Sequence, residues 1–153
     1  GDWVGRGYGQ GVPMGGTLLG QRGRRAPALL IDALKDPMGA NLDRVQVIKG
    51  WVDAAGKSHE LIYDVAWSDP AQRRRGRAGK IAPVGNTVDE ATATYTNSIG
   101  AASLRTVWAD PAFDPAQRAF YYIRVLEIPT PRWPLYDAVR NHFKLPADAE
   151  KTS

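Results

Sequence analysis

The sequence predicts a mostly β protein, an immunoglobulin-like antiparallel β-sandwich with long loops and one short C-terminal helix. The first observation behind this prediction is a β-hairpin over positions 45–67, in which apolar residues alternate along two arms around a glycine turn. The second is that four further short segments have the composition of strands, whereas one segment near the C-terminus has helical spacing. The apolar face of the hairpin needs a second layer to cover it, which a facing sheet provides.

The chain divides into three regions. Residues 1–27 are rich in glycine and are expected to form an irregular connector, because they contain no G-x-G-x-x-G and no strand precedes them. Within this connector, residues 11–16 are expected to form a compact turn packed closely against a neighbouring part of the backbone. Residues 28–134 are expected to hold the sandwich, and residues 135–153 a short helix and a tail.

The sandwich is expected to begin with a strand at residues 28–35. These residues form an apolar run that ends at a turn, residues 36–39. Both a helix and a strand fit a run this short. We choose a strand because the hairpin that follows needs a sheet partner.

The arms of the hairpin are expected at residues 44–53 and 58–67. Between them, Gly56 readily takes a positive φ and closes a three-residue loop with a bulge. A loop of odd length pairs odd positions with odd positions, so the two apolar rows should share one face, where Trp51 and Trp67 enter a common interior. These rows consist of Val45, Val47, Trp51, Leu61, Tyr63, Val65 and Trp67.

Three later segments are also predicted to be strands. Residues 91–97 carry threonine at alternate positions, which suits a solvated sheet face with Tyr95 turned inward. Residues 103–109 have the composition of a short strand. Residues 119–128 are apolar on both parities, which predicts a central strand buried on both faces. The C-terminal helix is predicted from residues spaced four apart, as on one helix face: Leu135, Val139 and Phe143.

The composition is that of an ordinary globular domain, with 43% hydrophobic and 24% charged residues. The chain contains no cysteine, so it has no disulfide framework, and this is compatible with either the cytoplasm or the periplasm. No apolar run approaches the roughly 18 residues that indicate a transmembrane helix, so we expect no membrane span. Since Gly1-Asp2-Trp3 is hardly a natural start, we expect the chain to be a piece of a longer protein.

Positive charge is concentrated in two loops. The formal net charge is +4, yet the chain outside these loops holds twelve basic against sixteen acidic residues. The clusters are either solvated loop charges or a contact for an anionic partner such as lipid headgroups or an acidic domain, with nucleic acid the least expected. The first cluster is Arg22, Arg24 and Arg25, and the second, the candidate contact, is Arg73, Arg74, Arg75, Arg77 and Lys80.

The residues that could carry chemistry form no recognisable catalytic set. The two histidines, His59 and His142, belong to no metal-ligand motif, and the sequence has no cysteine and no G-x-S-x-G. We therefore predict no catalytic residue, no metal ligand and no cofactor in this chain. Paired acidic residues lie beside prolines or turns, where their carboxylates are expected to accept backbone N–H groups: Asp32, Asp36, Asp110 and Asp114.

Most large aromatic residues are expected to lie in the core. A carbohydrate-binding sandwich would instead need at least two coplanar aromatic rings exposed on one face. The residues assigned to the core are Trp51, Trp67, Trp108 and Phe120.

Trp133 differs from these aromatic residues because it lies between prolines, with no regular ladder of strands to bury it. Beside it, Arg132 can stack on the indole ring. This pair is a candidate contact for a ligand or an adjoining domain. Met14, Gly15 and Gly16 of the compact turn are included in the same candidate set.

Several short blocks occur together in a fixed order along the chain. They are GVPMGG at 11–16, LKDP at 34–37, ANLDR at 40–44, VIKGW at 47–51, VGNTV at 84–88, ATYTN at 93–97, FDPAQRAFYY at 113–122 and RVLEIPTPRW at 124–133. With these blocks the chain resembles the C-terminal portion of a bacterial domain-of-unknown-function family, the one numbered thirty-six oh-four. The likeness covers nearly all of residues 10–140. The chain departs from the family in two respects. Its loop at 72–80 is unusually basic, and the chain stops before the family's usual aromatic C-terminal strand.

The resemblance implies a role beyond what the residues alone predict. Family members are several times longer and often exported, and their N-terminal part resembles a metal-dependent hydrolase barrel of the polymerase-and-histidinol-phosphatase kind. This chain would then be a non-catalytic accessory sandwich, in the periplasm or secreted, that packs on the barrel and rims its substrate cleft. The divalent metal would lie in the barrel. The alternative is a binding module for an anionic partner through the arginine-rich loops.

Overall fold

In the computed structural model, which describes residues 2–18, 25–76 and 79–153, five strands and two helices follow one another along the chain. All the strands pair antiparallel with their neighbours. The elements are α1 (Trp3–Gln10), β1 (Ala28–Leu34), β2 (Leu42–Val52), β3 (Ser58–Trp67), β4 (Ser103–Ala109), β5 (Ala119–Glu127) and α2 (Trp133–Asn141).

Two sheets lie on either side of a shared core. Within the described residues, β1 pairs with β4 in one sheet, and the order β3-β2-β5 forms the other. Apolar side chains from both sheets pack between them, so the predicted mostly β, sandwich-like fold is confirmed. The buried core consists of Ile31 and Leu104 from the two-stranded sheet and Leu42, Val45, Val47 and Val65 from the three-stranded sheet.

The predicted hairpin is formed by β2 and β3. Gly56 has a φ of +80°, and its N–H donates to the Asp53 carbonyl at 3.0 Å. The Asp53 side chain accepts the N–H groups of Ala55 and Lys57, each at 2.9 Å, and so stabilises the turn. Odd positions pair with odd positions next to this turn, as predicted: Val47 with Tyr63, Lys49 with Leu61 and Trp51 with His59.

The expectation that Trp51 and Trp67 share an interior is wrong. The register shifts between Val45 and Gln46, because Val45 pairs with Ala66 while Gln46 pairs with Asp64. Because successive side chains of a strand alternate between its faces, one extra residue in β3 turns the side chains that follow it to the opposite face from the one predicted. Trp67 therefore lies on the outer face, where its Nε1 donates to the Arg73 carbonyl at 2.9 Å.

Residues 119–127 form a strand close to the predicted bounds, but the prediction that this strand is central is wrong. The central strand is β2, which is buried on both faces, and β5 lies beside it at the edge of the sheet. The outward-facing residues of β5 remain exposed, including Phe120, which was expected in the core. An apolar pattern on both parities shows that both faces are apolar, but it does not show that both are covered.

The glycine-rich N-terminal region is not an irregular connector throughout. Residues 3–10 form α1, because the Asp2 carboxylate accepts the Gly5 N–H at 2.8 Å and caps the helix. The helix lies on the outer face of the two-stranded sheet, where the Arg105 guanidinium stacks on the Trp3 ring at 4.9 Å. A short polar cap thus overcomes the low helix propensity of three glycines.

The segment 91–97 is a turn and not the predicted strand. The backbones of Asp89 and Thr94 exchange hydrogen bonds of 2.8 and 3.2 Å, and Ala93 between them has a φ of +50°. The Asp89 carboxylate also accepts from the Ala91 N–H and from the Thr92 hydroxyl, each at 2.9 Å. These local side-chain bonds compete with a strand ladder, which the alternating threonines alone could not reveal.

The predicted C-terminal helix is α2, although it begins two residues earlier than expected. Pro134 occupies its first turn, where a missing N–H costs no hydrogen bond, and His142 ends it with a φ of +57°. Leu135 and Ala138 are buried on its inner face. In the described part of the chain, neither helix has the length and apolar composition needed to cross a bilayer.

Replacing Gly56 with alanine should lower the free energy of unfolding by about 1–2 kcal/mol, because a side chain disfavours the left-handed backbone of the turn. Urea unfolding followed by circular dichroism measures this change. Gly9→Ala is the matched control, since Gly9 lies in α1 with no atom within 4 Å of a new Cβ. The control should leave stability unchanged or raise it slightly. Equal losses in both variants would contradict this account of the turn.

Candidate functional site

A buried ion pair joins the two sheets at the hairpin end of the sandwich. The Lys49 Nζ donates to Asp110 Oδ2 at 2.6 Å and to the Ala112 carbonyl at 2.7 Å. The Tyr121 hydroxyl donates to the same carboxylate oxygen at 2.7 Å. The other oxygen of Asp110 accepts the Ala112 N–H at 2.9 Å, as predicted for an acid beside a proline. Every charged atom of this pair is therefore used inside the fold.

Sequence reasoning did not identify Lys49 as a member of this pair. A signal was available, because Lys49 lies on the same parity of β2 as Val47 and Trp51, which were expected to point inward. A lysine on an inward row needs a buried acid, since an unpaired charge is strongly disfavoured there. The identity of that acid could not be read from the sequence, because Asp110 lies in a loop 61 positions away.

The surroundings of the ion pair shift three pKa values. Burial acts to raise the pKa of Asp110, but hydrogen bonds from Lys49, Tyr121 and the Ala112 N–H outweigh it and hold this pKa below its usual range. Burial raises the pKa of Tyr121, and the neighbouring Asp110 carboxylate raises it further. Burial and the same carboxylate also raise the pKa of Tyr63. The carboxylate is therefore ionised and both phenols are neutral at physiological pH.

A second polar cluster lies on the outer face of the three-stranded sheet. Asp64 is buried and accepts from Gln46 Nε2 and from the Ile81 N–H, each at 2.7 Å. The Asp43 carboxylate forms ion pairs with Arg44 and with Arg73. The segment that follows β3 is thus tied to the outer face by charge-assisted hydrogen bonds.

The basic residues of this segment largely bind the protein's own backbone. Arg73 also donates to the Ser68 hydroxyl at 2.8 Å and to the Ala82 carbonyl at 2.6 Å. Arg75 donates to the Asp64 carbonyl at 2.6 Å, and Lys80 donates to the Ile62 carbonyl at 2.5 Å. These three cations are used to hold the loop on β3.

The other basic residues of the two clusters are either exposed or outside the described residues. Arg74 and Arg25 are exposed on the surface. Arg77 of the candidate contact set lies outside the described residues, as do Arg22 and Arg24. The anionic-partner contact that the sequence suggested therefore stays a prediction.

Trp133 is the first residue of α2, and its side chain is 70% exposed. Arg132 precedes it and forms an ion pair with Glu150, so its guanidinium is engaged with the C-terminal tail. The Arg132 N–H donates to the Lys151 carbonyl at 2.8 Å, which holds the start of the helix in place. Tyr136, one turn further along the same helix face, is also exposed. We call Trp133 and Tyr136 the α2 surface.

Residues 11–16 form a turn, and its first glycine lies close to the end of α1, since a Cβ on Gly11 would be 2.7 Å from the Gly7 carbonyl oxygen. Gly15 has a φ of +86°, and no atom lies within 4 Å of where its side chain would be. Gly16 closes the turn through its N–H, which donates to the Pro13 carbonyl at 2.9 Å. Met14 is almost fully exposed. Within the residues that the structure describes, no hydrogen bond, ion pair or ring contact joins this turn to Arg132 or Trp133.

Two aromatic rings lie exposed on the outer face of β5, near the hairpin turn. Phe120 is 62% exposed and Tyr122 is 45% exposed. Their rings are nearly parallel, at 12°, with centroids 6.3 Å apart. The Phe120 ring reaches across Gly50 of β2, which pairs with it in the sheet. We call Phe120 and Tyr122, with Gly50 beneath, the aromatic platform.

His59, the histidine of the hairpin, is held by contacts within the fold. Its Nε2 lies 2.7 Å from Asp53 Oδ2, and its ring stacks on Trp51 with centroids 5.1 Å apart. The Asp53 pKa is lowered, chiefly by this hydrogen bond. Across residues 2–18, 25–76 and 79–153, no group of three histidine, cysteine, aspartate or glutamate side chains could hold a metal ion.

The comparison with protein families decides where the chain belongs. Residues 1–153 match the model of a family described as Protein of unknown function (DUF3604). The chain belongs to this family. The match extends over the whole sequence, including the hairpin, the ion pair and both exposed aromatic surfaces. No curated protein and no solved structure matches the chain.

The ion pair makes stability depend on pH in the acid range. Because the pKa of Asp110 is lower in the folded state, its contribution to stability is complete above its unfolded value, near 3.8, and is lost as pH falls through the folded value. Asp110→Asn should therefore flatten the fall in stability below about pH 4, as well as lowering stability at pH 7. Urea midpoints measured from pH 2 to pH 7 test this.

Asp114→Asn is the matched control, because Asp114 caps the neighbouring exposed turn through the Ala116 N–H at 2.9 Å. This variant should keep the acid dependence of the unsubstituted chain. If the stability of Asp110→Asn falls in acid as steeply as that of the unsubstituted chain, protonation of Asp110 does not cause the acid dependence.

Proposed function

We propose that the chain is a non-catalytic accessory β-sandwich that packs on a catalytic domain of the same protein through the α2 surface. That domain is proposed to be a metal-dependent hydrolase of the polymerase-and-histidinol-phosphatase kind, and the protein to be periplasmic or secreted. The divalent metal belongs to the catalytic domain, whose substrate cleft the sandwich would rim. Membership of the family and the exposed α2 surface support the proposal.

The observation that carries the proposal is Trp133, 70% exposed on a helix whose start is fixed. Leu135 and Ala138 bury the opposite face of α2, and the ion pair of Arg132 with Glu150 ties the helix to the tail. A tryptophan held in one place loses little conformational entropy when it is buried by a partner. Tryptophan is also enriched among the residues that dominate binding energy at interfaces.

Contact with an anionic partner through the arginine-rich loop is the alternative function. In its favour, Arg74 is exposed. Against it, Arg73, Arg75 and Lys80 donate to backbone carbonyls of the same sheet and loop, so binding a phosphate through them would break internal bonds. We therefore prefer the accessory role.

The chain alone should hydrolyse neither phosphoesters nor carboxyl esters nor amides when Mg²⁺, Mn²⁺ or Zn²⁺ is added. The physical reason is that the proposed chemistry depends on a metal site in another domain. Chromogenic substrates of the three classes provide the assay. Metal-dependent turnover that survives repeated chromatography would contradict the accessory role.

Trp133 should become protected from hydroxyl radicals when the chain is part of the longer protein. Footprinting with mass spectrometry compares its oxidation in the two contexts. Met38 is the matched control, because it is 90% exposed in a turn distant in sequence and should oxidise in both. Trp133→Ala in the longer protein should weaken the contact between the domains by about 30-fold, as expected for a loss of about 2 kcal/mol.

Two results would contradict the docking surface. Equal oxidation of Trp133 in both contexts would show that α2 faces solvent throughout. Protection of Trp133 that persists when the catalytic domain is removed would show that the contact is internal to the sandwich.

A further inference from the structure

The aromatic platform is an exposed, preformed surface whose rings do not contribute to the core. Phe120 and Tyr122 are held two residues apart on β5, so both side chains project from the same face of the sheet. Their rings differ in orientation by 12° and their centroids are 6.3 Å apart. The pairing of β5 with β2 fixes this spacing, because it holds the backbone beneath both rings.

Gly50 is the residue that sets the position of the Phe120 ring. A Cβ on Gly50 would lie 2.2 Å from Phe120 Cζ, so the tip of the ring occupies the space of the missing side chain. The ring therefore lies across the neighbouring strand. Any larger residue at position 50 must displace it.

Polar side chains lie at the margins of the platform. Arg124 follows Tyr122 on the same face of β5, and its Nε and Nη2 donate to Gln46 Oε1 at 2.8 and 2.6 Å, which fixes the guanidinium. Glu60 lies beyond Gly50, opposite it on β3, and is exposed. The margin thus offers hydrogen-bond donors on one side and acceptors on the other.

We propose that the aromatic platform binds a neutral, linear polysaccharide. A pyranose ring has an apolar face of C–H groups that packs on the electron-rich face of an aromatic ring. Its hydroxyl groups lie at the rim of the sugar, where Arg124 can donate to them and Glu60 can accept from them. Two nearly parallel rings, spaced along a strand, suit successive sugars of one chain.

Among ligands with flat apolar faces, the charged residues at the margin of the platform favour a neutral sugar over a nucleic acid. A nucleic acid would bring its phosphates close to the exposed Glu60 carboxylate, which would repel them. A protein partner is expected to insert side chains into pockets, whereas the Phe120 ring fills the space above Gly50. This inference does not depend on the proposed accessory role, because it uses a different element of the fold.

Affinity electrophoresis of the chain tests the proposal, with hydroxyethyl cellulose, xylan, glucomannan and glycol chitin as separate probes in the gel. At least one probe should retard the chain. Phe120→Ala and Tyr122→Ala should each weaken that binding by about tenfold or more. Gly50→Ala should weaken it as well, although both rings are still present, because the Phe120 ring is displaced.

Tyr8→Ala is the matched control, since Tyr8 is an exposed aromatic residue on α1, and it should leave the retardation unchanged. Circular dichroism checks that each variant is folded, and the substitutions on β5 remove side chains that are largely exposed. The proposal is overturned if none of the four probes retards the chain. It is also overturned if retardation is unaffected in all three platform variants, which would place binding elsewhere.

Discussion

The buried pair of Lys49 and Asp110 is the interaction on which the arrangement of the two sheets depends. It connects the central strand of one sheet to the loop that follows β4 of the other, at 2.6 Å and with almost no solvent access. Removing one member of such a pair costs about 3–5 kcal/mol, because the remaining charge stays buried. Tyr121 and Ala112 complete the hydrogen bonds of the pair. The hairpin end of the sandwich is therefore closed by a polar contact with one geometry, and apolar packing alone would not impose that geometry.

The same logic extends to the outer face of the three-stranded sheet, where Asp43 and Gln46 of β2 and Asp64 of β3 are also buried. Within the described residues, the segment after β3 covers this face and brings Arg73 and the Ile81 N–H to the carboxylates. A covering loop of this kind needs basic residues for a structural reason. A cluster of arginines in the sequence is thus compatible with internal neutralisation as well as with an external anion.

The parts of the fold that could be predicted from the sequence are those that local pattern and turn chemistry determine. The strands at 28–35, 44–53, 58–67 and 103–109 were predicted close to their observed bounds, and Gly56 was placed correctly in its turn. The bulge at Val65 was not predictable, because one extra residue in a strand leaves the apolar pattern almost unchanged.

Strand order explains the main failure at the candidate site. The sequence identified Trp133 as exposed because prolines flank it, which is a local signal. Phe120 was assigned to the core because its own strand is apolar on both parities. Its exposure follows from the position of β5 at the edge of the sheet, which depends on pairing between positions far apart in the chain.

The exposure of Phe120 has a cost that the fold could have avoided, and this bears on what the platform is for. Full burial of a phenylalanine side chain stabilises a protein by about 1.5–3 kcal/mol, and most of this is forgone on β5. A polar residue at position 120 would serve an edge strand as well and would discourage aggregation. Gly50, which lies beneath the same ring, also weakens β2, because glycine inside a strand has no side chain to pack. An aromatic ring that covers a glycine of the neighbouring strand recovers part of this loss. Phe120 nevertheless remains 62% exposed, so most of its surface stays available to a ligand.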